Sequence, residues 1–366
     1  MINILAFSFI GSILLTFLCI YISRFFKLFD YPDSRKQHCE PMPLLGGVAI
    51  FVSFSLALLV NYQFSWELKG VMLAASVILL MGLIDDLRGL PAMVRLLIQS
   101  ACALTVVRFG VCLDIVSEGV PFSNYIDIGI TVLWIIGITN AMNFLDGMDG
   151  VAAGISAIAA GTFFIVAYQT GQPYFAFLSL ALMGACLGFL VFNSYPAKIF
   201  LGDSGSSFLG VTLATLAVMG EWASDRPLVA LSVPILILAV PIFDVMYITV
   251  SRVASGKVKN FREWVEYVGR DHFHHRLLGL KFSVRQAVLF LYVVCLIISL
   301  GALLLVRATE VQAILLLAQA ALVLVIISIL MIVARGYLKE SRLYHALFNE
   351  KWDKKVLGGD PPKENN

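Results

Sequence analysis

Residues 140–150 read Asn-Ala-Met-Asn-Phe-Leu-Asp-Gly-Met-Asp-Gly and follow directly on the apolar run at 131–138. This stretch places polar side chains at steps of three residues, at Asn140, Asn143, Asp146 and Asp149. Residues three apart lie on one face of a helix, so the stretch predicts a polar stripe at the end of a membrane-length helix. Because carboxylates and amides near bilayer depth are costly, the stripe indicates a functional site, and its side chains suit a metal ion and a nucleotide.

Composition places the whole chain in a membrane. Of its 366 residues, 60% are hydrophobic and 14% are charged, and the mean hydropathy is +0.90. Soluble domains hold about a quarter charged residues, so a soluble protein is excluded. A helix needs about 20 apolar residues to cross the hydrocarbon core. The sequence therefore predicts an all-α polytopic membrane protein with eleven transmembrane helices, at 2–23, 44–62, 70–84, 92–108, 127–145, 150–167, 173–193, 204–219, 228–250, 286–306 and 311–334.

The distribution of positive charge predicts how these helices are oriented. With eleven spans, 22 of the 26 Lys and Arg residues fall on one set of alternating loops and on the C-terminal tail. Cytosolic loops carry the excess of Lys and Arg, so we expect the N-terminus outside and the C-terminus in the cytosol. We expect one transmembrane catalytic domain at 1–335 and a cytosolic tail at 336–366.

Charge and cysteine content argue against two other classes of protein. The formal net charge is only +2 and no soluble module carries a basic patch, so we expect no nucleic-acid partner. The six cysteines are scattered without metal-type spacing, and most lie in or beside apolar spans. A disulfide framework or a zinc ribbon is therefore not expected.

Nearly all the unusual polar residues fall on the predicted cytosolic loops, which lie near 24–43, 85–95, 143–150, 194–207 and 251–285. In chain order these loops hold Asp33, Arg35, Lys36 and His38; Asp85 and Asp86; the polar stripe; Phe200 and Asp203; and the block at 271–276. The loops on the other side carry only scattered charges. Five polar loops on one face predict a single active site.

Structural roles stay open for several of these residues. Asp85 and Asp86 would also be expected at a helix end that is exposed to water, and Asp203 is also a suitable helix N-cap. The small side chains and backbone N–H groups after Asp203 equally suit a phosphate and a divalent cation. In the His block, the flanking Arg270 and Arg276 favour an anion, whereas zinc would want further ligands at suitable spacing.

The segment at 261–268 predicts a short amphipathic helix, because Phe261, Trp264 and Val265 share one helical face. Such a helix either lies in the membrane interface or packs on the protein's own cytosolic face. The sequence does not separate these two arrangements.

The side chains available favour metal-assisted phosphoryl transfer. The sequence has no nucleophilic Ser or Cys with a His-Asp relay, no Walker loop and no redox motif. Its Asp, Asn, His, Lys and Arg residues are ligands for Mg²⁺, with Mn²⁺ as an alternative, and partners for phosphates. Phosphoryl transfer needs mainly positioning and charge neutralisation. We therefore expect transfer between a cytosolic, nucleotide-linked substrate and a lipid in the bilayer.

The same blocks resemble the polyprenyl-phosphate N-acetylhexosamine-1-phosphate transferases of glycosyltransferase family 4. The resemblance runs from about residue 30 to residue 287 and rests on Asp85-Asp86 and on the motifs at 140–150, 200–206 and 272–276. The His block is more similar to the undecaprenyl-phosphate N-acetylglucosaminyl-1-phosphate transferase branch. In the phospho-N-acetylmuramoyl-pentapeptide branch three His are consecutive, whereas Phe273 interrupts them here.

The resemblance implies a role for each matching position. Asp203 and Asn143 would hold Mg²⁺ against the diphosphate of a UDP-sugar, and Phe200 would lie against the uracil. Asp85 or Asp86 would act as a base or would position the lipid phosphate or the metal. The other implied substrate contacts are Asn140, Asp146, Gly147, Met148, Asp149 and Asn193 around the nucleotide, His272, His274, His275 and Arg276 at the diphosphate or sugar, Arg95 at the lipid phosphate, and Arg35 and Lys36 in the first loop.

The implied reaction is attack of undecaprenyl phosphate on the β-phosphorus of a UDP-N-acetylhexosamine, with GlcNAc as the expected sugar and UMP as the product. It would be the first membrane step of cell-envelope glycan synthesis, at the cytosolic face of a bacterial inner membrane. A homodimer is compatible with the sequence, which does not determine the oligomeric state. The stretch at 257–271 is longer than in the similar branch, so the sugar is the least determined feature.

Other functions remain as alternatives. Within the family, the alternative is a phospho-N-acetylmuramoyl-pentapeptide transferase. A nucleotide-sugar or lipid transporter would also use Asp and Asn in a membrane, but near the midplane and on both faces. A purely structural membrane protein would leave the five polar loops unexplained.

Overall fold

The computed structural model describes residues 1–31, 40–61, 65–116, 119–223, 226–267 and 272–340. Over these ranges the chain is helical apart from loops and a two-stranded sheet, in which β1 (Phe29–Asp30) pairs antiparallel with β2 (Met42–Pro43). The helices are α1 (Ile2–Phe26), α2 (Gly46–Asn61), α3 (Trp66–Arg88), α4 (Ala92–Arg108), α5 (Ser123–Leu145), α6 (Val151–Gln169), α7 (Pro173–Asn193), α8 (Gly202–Met219), α9 (Pro227–Ile237), α10 (Ala239–Ala254), α11 (Phe261–Glu266), α12 (Phe273–Gly279), α13 (Val284–Leu305) and α14 (Glu310–Glu340).

The predicted all-α membrane architecture is confirmed. Within the described residues, seven helices are long and apolar enough to cross a membrane, namely α1, α3, α5, α6, α7, α13 and the Glu310–Val333 part of α14. An eighth span results if α9 and α10, which meet at an 80° bend, are counted together. The other three predicted spans form α2, α4 and α8, which are shorter or less apolar. The count of eleven and the orientation therefore stay predictions.

Helix α8 is less apolar than a membrane span because protein surrounds it. Every residue at 204–217 is buried, so this helix needs no surface compatible with lipid. Its hydroxyl groups bond to the preceding turn: the Oγ1 atom of Thr212 donates to the Phe208 carbonyl at 2.8 Å, and Thr215 makes the same kind of bond at 2.8 Å. The helix that carries Asp203 in its first turn is therefore the core of the bundle.

Two glycines let neighbouring helices approach the backbone of α8. A Cβ atom at Gly82 of α3 would lie 2.3 Å from the Cα atom of Ser204. A Cβ atom at Gly47 of α2 would lie 2.3 Å from the Cα atom of Gly205. These separations are far inside van der Waals contact, so both positions require glycine. The start of α8 is thereby packed directly against α2 and α3.

The polar stripe runs out of α5 into a tight turn. α5 ends at Leu145, and Gly150 precedes α6 in a left-handed conformation with φ of 82°. The hydroxyl of Tyr292, on α13, donates to the Gly150 carbonyl at 2.6 Å. The absence of a side chain at Gly154 makes room for that hydroxyl, because a Cβ atom there would lie 2.0 Å from its oxygen. The second half of the stripe, starting at Asp146, therefore belongs to the turn rather than to the helix.

The predicted amphipathic segment forms α11, which packs on α10. The Trp264 indole N–H donates to the Oγ1 atom of Thr249 at 3.0 Å. The Phe261 ring stacks beside the indole, with ring centroids 6.2 Å apart. The bond from Trp264 to Thr249 favours packing on the protein over a helix in the membrane interface. Its predicted last residue, Val268, lies outside the described residues.

Candidate active site

A cleft of about 840 Å³ opens where the five predicted polar loops meet. Its lining includes Asp30, Glu40 and Met42 from the first loop, Asp85 and Asp86 from the second, Asp146, Gly147, Met148 and Asp149 from the third, Asn193, Phe200 and Asp203 from the fourth, and His275 and Val284 from the fifth. Seven of the lining side chains are carboxylates. An anionic ligand therefore needs a cation beside it in this cleft.

Asp203 and Asn143 face each other at the start of α8. The Asn143 amide donates to the Oδ1 atom of Asp203 at 2.7 Å and to the hydroxyl of Ser206 at 3.0 Å. The Asp203 side chain remains 41% exposed, so a ligand in the cleft can reach it. The contact joins the last turn of α5 to the first turn of α8.

One carboxylate beside one amide suits a magnesium site that a substrate completes. Mg²⁺ takes one or two carboxylates and fills its other positions with phosphate oxygens and water. Among the residues that the structure describes, no three Asp, Glu, His or Cys side chains are grouped as a metal site. The donor set fits a cation shared with a diphosphate, and the metal assignment stays a prediction.

Asp86 caps α8 from a different helix. Its Oδ1 atom accepts the backbone N–H of Asp203 at 2.7 Å, and its Oδ2 atom accepts that of Ser204 at 3.2 Å. A carboxylate at a helix N-terminus satisfies unpaired N–H groups and interacts favourably with the helix dipole. Asp86 therefore fixes the end of α3 to the backbone that carries Asp203.

Asp85 holds Arg95 beside the same carboxylate. Its Oδ2 atom accepts from the Nη1 atom of Arg95 at 2.8 Å, and its Oδ1 atom accepts the backbone N–H of Leu90 at 2.6 Å. The same Nη1 atom lies 3.9 Å from the Oδ2 atom of Asp203. Asp85 thus places one positive charge next to the cleft, and the role of either acidic residue as a base stays a prediction.

Asn193 joins the turn at 146–150 to the loop before α8. Its Oδ1 atom accepts the Gly150 N–H at 3.0 Å, and its Nδ2 atom donates to the Ile199 carbonyl at 2.9 Å. Asp149 makes a second link, because its Oδ2 atom accepts the N–H of Ala197 at 2.9 Å. Asn193 therefore has a structural role in the predicted nucleotide pocket, in addition to lining the cleft.

We expect Asn193→Ala to destabilise the protein by about 2–4 kcal/mol, because two buried backbone groups, the Gly150 N–H and the Ile199 carbonyl, lose a partner. The unfolding midpoint of the purified protein in detergent measures the effect. Asn124→Ala, at an exposed position in the first turn of α5, is the control and should change stability by less than about 0.5 kcal/mol. Equal effects of the two substitutions would contradict the linking role of Asn193.

Asp146 lies in the turn after α5, half-buried in the cleft wall. Burial raises the pKa of its carboxyl group well above the ordinary value, and the negative charges of Asp203, Asp86 and Asp149 raise it further. The four carboxyl groups therefore repel one another electrostatically. A bound cation would relieve this repulsion, which agrees with the donor set at Asp203.

The structure separates the members of the predicted His block. His275 lines the cleft. His272 lies at the start of α12, where its Nδ1 atom is 3.1 Å from the Oδ2 atom of Asp244. Arg276 turns toward α10, with its guanidinium 4.6 Å from the ring centroid of Tyr247. The side chain of His274 lies outside what the structure describes.

Outside the His block, three described residues that were predicted as substrate or metal contacts are not in the cleft lining: Asn140, Asn143 and Arg95. Asn140 is paired with Gln99 of α4, and its Nδ2 atom donates to the Gln99 Oε1 atom at 2.7 Å. Arg35 and Lys36 lie outside the described residues. Sequence reasoning missed Gln99 and Asp244. Each is a polar side chain inside a predicted apolar span, and that was the available signal.

Known enzymes are similar to this chain over most of its length. Residues 68–221 match the family model described as Glycosyl transferase family 4. The chain is 37% identical over 287 residues to a probable undecaprenyl-phosphate N-acetylglucosaminyl 1-phosphate transferase of Bacillus subtilis, and the similarity covers 76% of this chain and 78% of that protein. The chain belongs to glycosyl transferase family 4.

Other relatives of this glycosyl transferase represent two kinds of enzyme. A decaprenyl-phosphate N-acetylglucosaminephosphotransferase of Mycolicibacterium smegmatis is 31% identical over 347 residues, which cover 84% of this chain and 82% of that protein. A phospho-N-acetylmuramoyl-pentapeptide-transferase of Halalkalibacterium halodurans is 34% identical over 212 residues, which cover 52% of this chain and 65% of that protein. The predicted family is confirmed. The family model covers α3 to α8 and so includes Asp85, Asp86 and Asp203 but not the His block.

Proposed function

We propose that this family member transfers GlcNAc-1-phosphate from UDP-GlcNAc to undecaprenyl phosphate and releases UMP. Two of the relatives are named as transferases of N-acetylglucosaminyl phosphate that act on a polyprenyl phosphate. The observation that carries the proposal is the 2.7 Å contact of Asn143 with Asp203, a carboxylate that lines a cleft formed by five loops. A carboxylate and an amide at the start of a helix suit a diphosphate that is bound through a divalent cation.

In this proposal Asp203 and Asn143 hold Mg²⁺, or Mn²⁺ in its place. The ion supplies neutralisation of the diphosphate charge. Asp86 holds the backbone of Asp203 in position through the bond at 2.7 Å. Arg95, held by Asp85 at 2.8 Å, contributes a fixed positive charge for the phosphate of the lipid. The chain's own contribution is therefore placement of charge around the reacting phosphorus, which is the main requirement of phosphoryl transfer.

The remaining cleft residues bind the donor in this proposal. Phe200 lies against the uracil, and the turn at 146–149 lines the nucleotide. His275, which lines the same cleft, meets the diphosphate or the sugar. Binding that holds the two reactants in line lowers the barrier by removing orientational freedom before the reaction.

The proposed chemical step needs no base to remove a proton. An oxygen of the lipid phosphate attacks the β-phosphorus, a new phosphoanhydride bond forms, and the bond to the UMP oxygen breaks with its electron pair. A phosphate monoester has a second pKa of about 6, so the attacking phosphate is mostly dianionic at neutral pH. We therefore assign Asp85 and Asp86 to positioning rather than to proton removal.

We place this reaction on the cytosolic face of a bacterial inner membrane, at the first membrane step of envelope glycan synthesis. The loops that line the cleft belong to the set that holds 22 of the 26 Lys and Arg residues together with the tail. The excess of positive residues on one side supports that side as cytosolic. A multi-pass membrane fold suits a reaction whose acceptor is a lipid in the bilayer.

UMP release tests the proposal directly. Purified protein is incubated with undecaprenyl phosphate, Mg²⁺ and one of UDP-GlcNAc, UDP-GalNAc or UDP-N-acetylmuramoyl-pentapeptide. We expect UMP from UDP-GlcNAc, and we expect EDTA to lower the rate by on the order of 10³-fold until Mg²⁺ or Mn²⁺ is restored. Release of UMP from the muramoyl substrate alone would assign the other family activity. Full activity in EDTA would contradict the metal assignment.

A second assay separates the enzyme from a transporter. The proposed reaction exchanges one phosphoanhydride for another, so it is expected to be reversible. Labelled UMP should then be incorporated into UDP-GlcNAc when the lipid-linked product is present. Uptake of UDP-GlcNAc into sealed vesicles without this exchange would favour a transporter instead.

A further inference from the structure

A buried Asp–His pair lies beside the cleft, and the proposed function gives it no role. Asp244 lies in the first half of α10, just after the 80° bend, and is 1% exposed. Its Oδ2 atom is 3.1 Å from the Nδ1 atom of His272, and its Oδ1 atom accepts the backbone N–H of Phe273 at 2.7 Å. Both oxygens of one buried carboxylate therefore bind the start of α12, the helix that carries His275.

The burial of Asp244 exceeds what capping a short helix requires. A carboxylate removed from water is costly unless hydrogen bonds and charge compensate for it. The N–H of Phe273 needs only one acceptor, and a local Ser or Asn would supply it without a buried charge. The second oxygen of Asp244 binds the imidazole of His272, and capping alone does not explain this bond.

The His272 ring packs against the last turn of α5. Its centroid lies 5.3 Å from that of the Phe144 ring, and Phe144 directly follows Asn143 in α5. The His272 side chain is 11% exposed, so the packing and the bond to Asp244 together restrict it to one orientation. The pair thus connects α10 with the end of α5 that faces Asp203.

The chemistry of the two groups determines which ring nitrogen carries a hydrogen. An ionised carboxylate only accepts hydrogen bonds, so the Nδ1 atom of His272 must carry a hydrogen to bond with Asp244. A carboxylate partner of this kind fixes both the tautomer and the ring orientation.

We propose that Asp244 is a positioning residue for the transferase reaction: it fixes His272 with a hydrogen on Nδ1 and so holds the start of α12, the helix whose His275 lines the cleft and meets the donor. This inference rests on the proposed function, since the donor is the UDP-sugar assigned above. Asp244 acts through His272 and touches no substrate. The interaction explains why a carboxylate is buried at a point where the chain also bends.

Asp244→Asn tests the inference, because the amide keeps the shape and can still accept the Phe273 N–H. Its NH₂ group donates, however, so the facing nitrogen of His272 must accept and its hydrogen moves to Nε2. In a serine protease, where the His transfers a proton, the equivalent change lowers kcat by about 10⁴-fold. His272 transfers no proton in the proposed reaction. We therefore expect kcat for UMP release to fall by less, by about 10–100-fold. Wild-type kcat in this variant would overturn the inference.

A double-mutant cycle distinguishes positioning from a general structural effect. If Asp244 acts through His272, then adding Asp244→Asn to His272→Gln should change kcat by less than about 2-fold. Multiplicative losses would overturn the inference. The matched control is Asp127→Asn, since Asp127 is 5% exposed and accepts two backbone N–H groups at the other end of α5. This control should keep kcat within about 2-fold of wild type.

Nitrogen NMR of histidine-labelled wild-type protein tests the pair without requiring a variant of Asp244 to fold. The chain has 5 His residues, and the His272 signals are those that disappear in His272→Gln. We expect Nδ1 of His272 to carry a hydrogen, and an unprotonated Nδ1 would overturn the inference. If the wild type releases no UMP from any UDP-sugar, the proposed function fails, whereas the NMR result still reports on the Asp244–His272 pair.

Discussion

Asp203→Asn is expected to lower the rate of Mg²⁺-dependent UMP release by on the order of 10³-fold. The substitution keeps the size of the side chain but removes the negative charge that the proposed cation requires. The backbone N–H groups of Asp203 and Ser204 still bond to Asp86, so the start of α8 remains anchored. The loss should therefore occur in turnover and not in the unfolding midpoint. Initial rates of UMP release across a range of Mg²⁺ concentrations measure it.

Asp114→Asn is the matched control for the loss of charge. Asp114 is exposed in the connection between α4 and α5, away from the cleft lining. Its replacement removes the same charge and should leave the rate within about 2-fold of wild type. Near-normal turnover in Asp203→Asn would show that this carboxylate does not hold the metal. Equal losses in both variants would indicate a nonspecific effect of net charge.

Gly82→Ala is expected to reduce stability and activity together. The new methyl group would lie 2.3 Å from the Cα atom of Ser204 and 2.5 Å from its nitrogen, and neither backbone atom can rotate away. α3 and α8 must move apart, at a cost of about 3 kcal/mol. The same movement separates Asp86 from the Asp203 N–H, and displacement of about 1 Å at a reacting centre costs on the order of 10²-fold in rate. Chemical unfolding in detergent and UMP release measure the two effects.

Gly137→Ala provides the comparison for this effect. Gly137 also lies inside a membrane-length helix, α5, but a Cβ atom there has no neighbour within 4 Å. Alanine is the better helix former by about 0.5–1 kcal/mol, so this variant should be as stable as wild type or more stable. If Gly82→Ala were as stable and active as Gly137→Ala, the close approach of α3 to α8 would not be what holds the site together.

Hydropathy and residue spacing predicted most of the architecture, because these signals are local. All eleven predicted segments are helical, and residues from all five predicted loops line one cleft. The stripe that begins at Asn140 was partly misplaced, since α5 ends at Leu145 and the rest of the stripe forms a turn. Hydrophobic periodicity identifies an element more reliably than it identifies the end of that element.

The roles of individual polar residues depended on contacts between distant parts of the chain. Asp85 and Asp86 are adjacent, yet one holds Arg95 and the other caps α8. No local pattern distinguishes these two roles. Asp244 was missed because a single carboxylate within an apolar span has no periodicity, and its partner His272 lies 28 residues further along the chain.

The capping of α8 by Asp86 has a consequence for biosynthesis. The carboxylate in α3 is made 117 residues before the Asp203 N–H that it accepts. At about 5–20 residues per second, the ribosome adds that length in roughly 6–23 s. During that interval α3 has been made but α8 has not, so the acidic end of α3 has no α8 backbone to bind and must be hydrated. The cap on α8 therefore forms only after α8 has been made and packs against α3, and the cleft is completed later still, when His275 and Val284 are added.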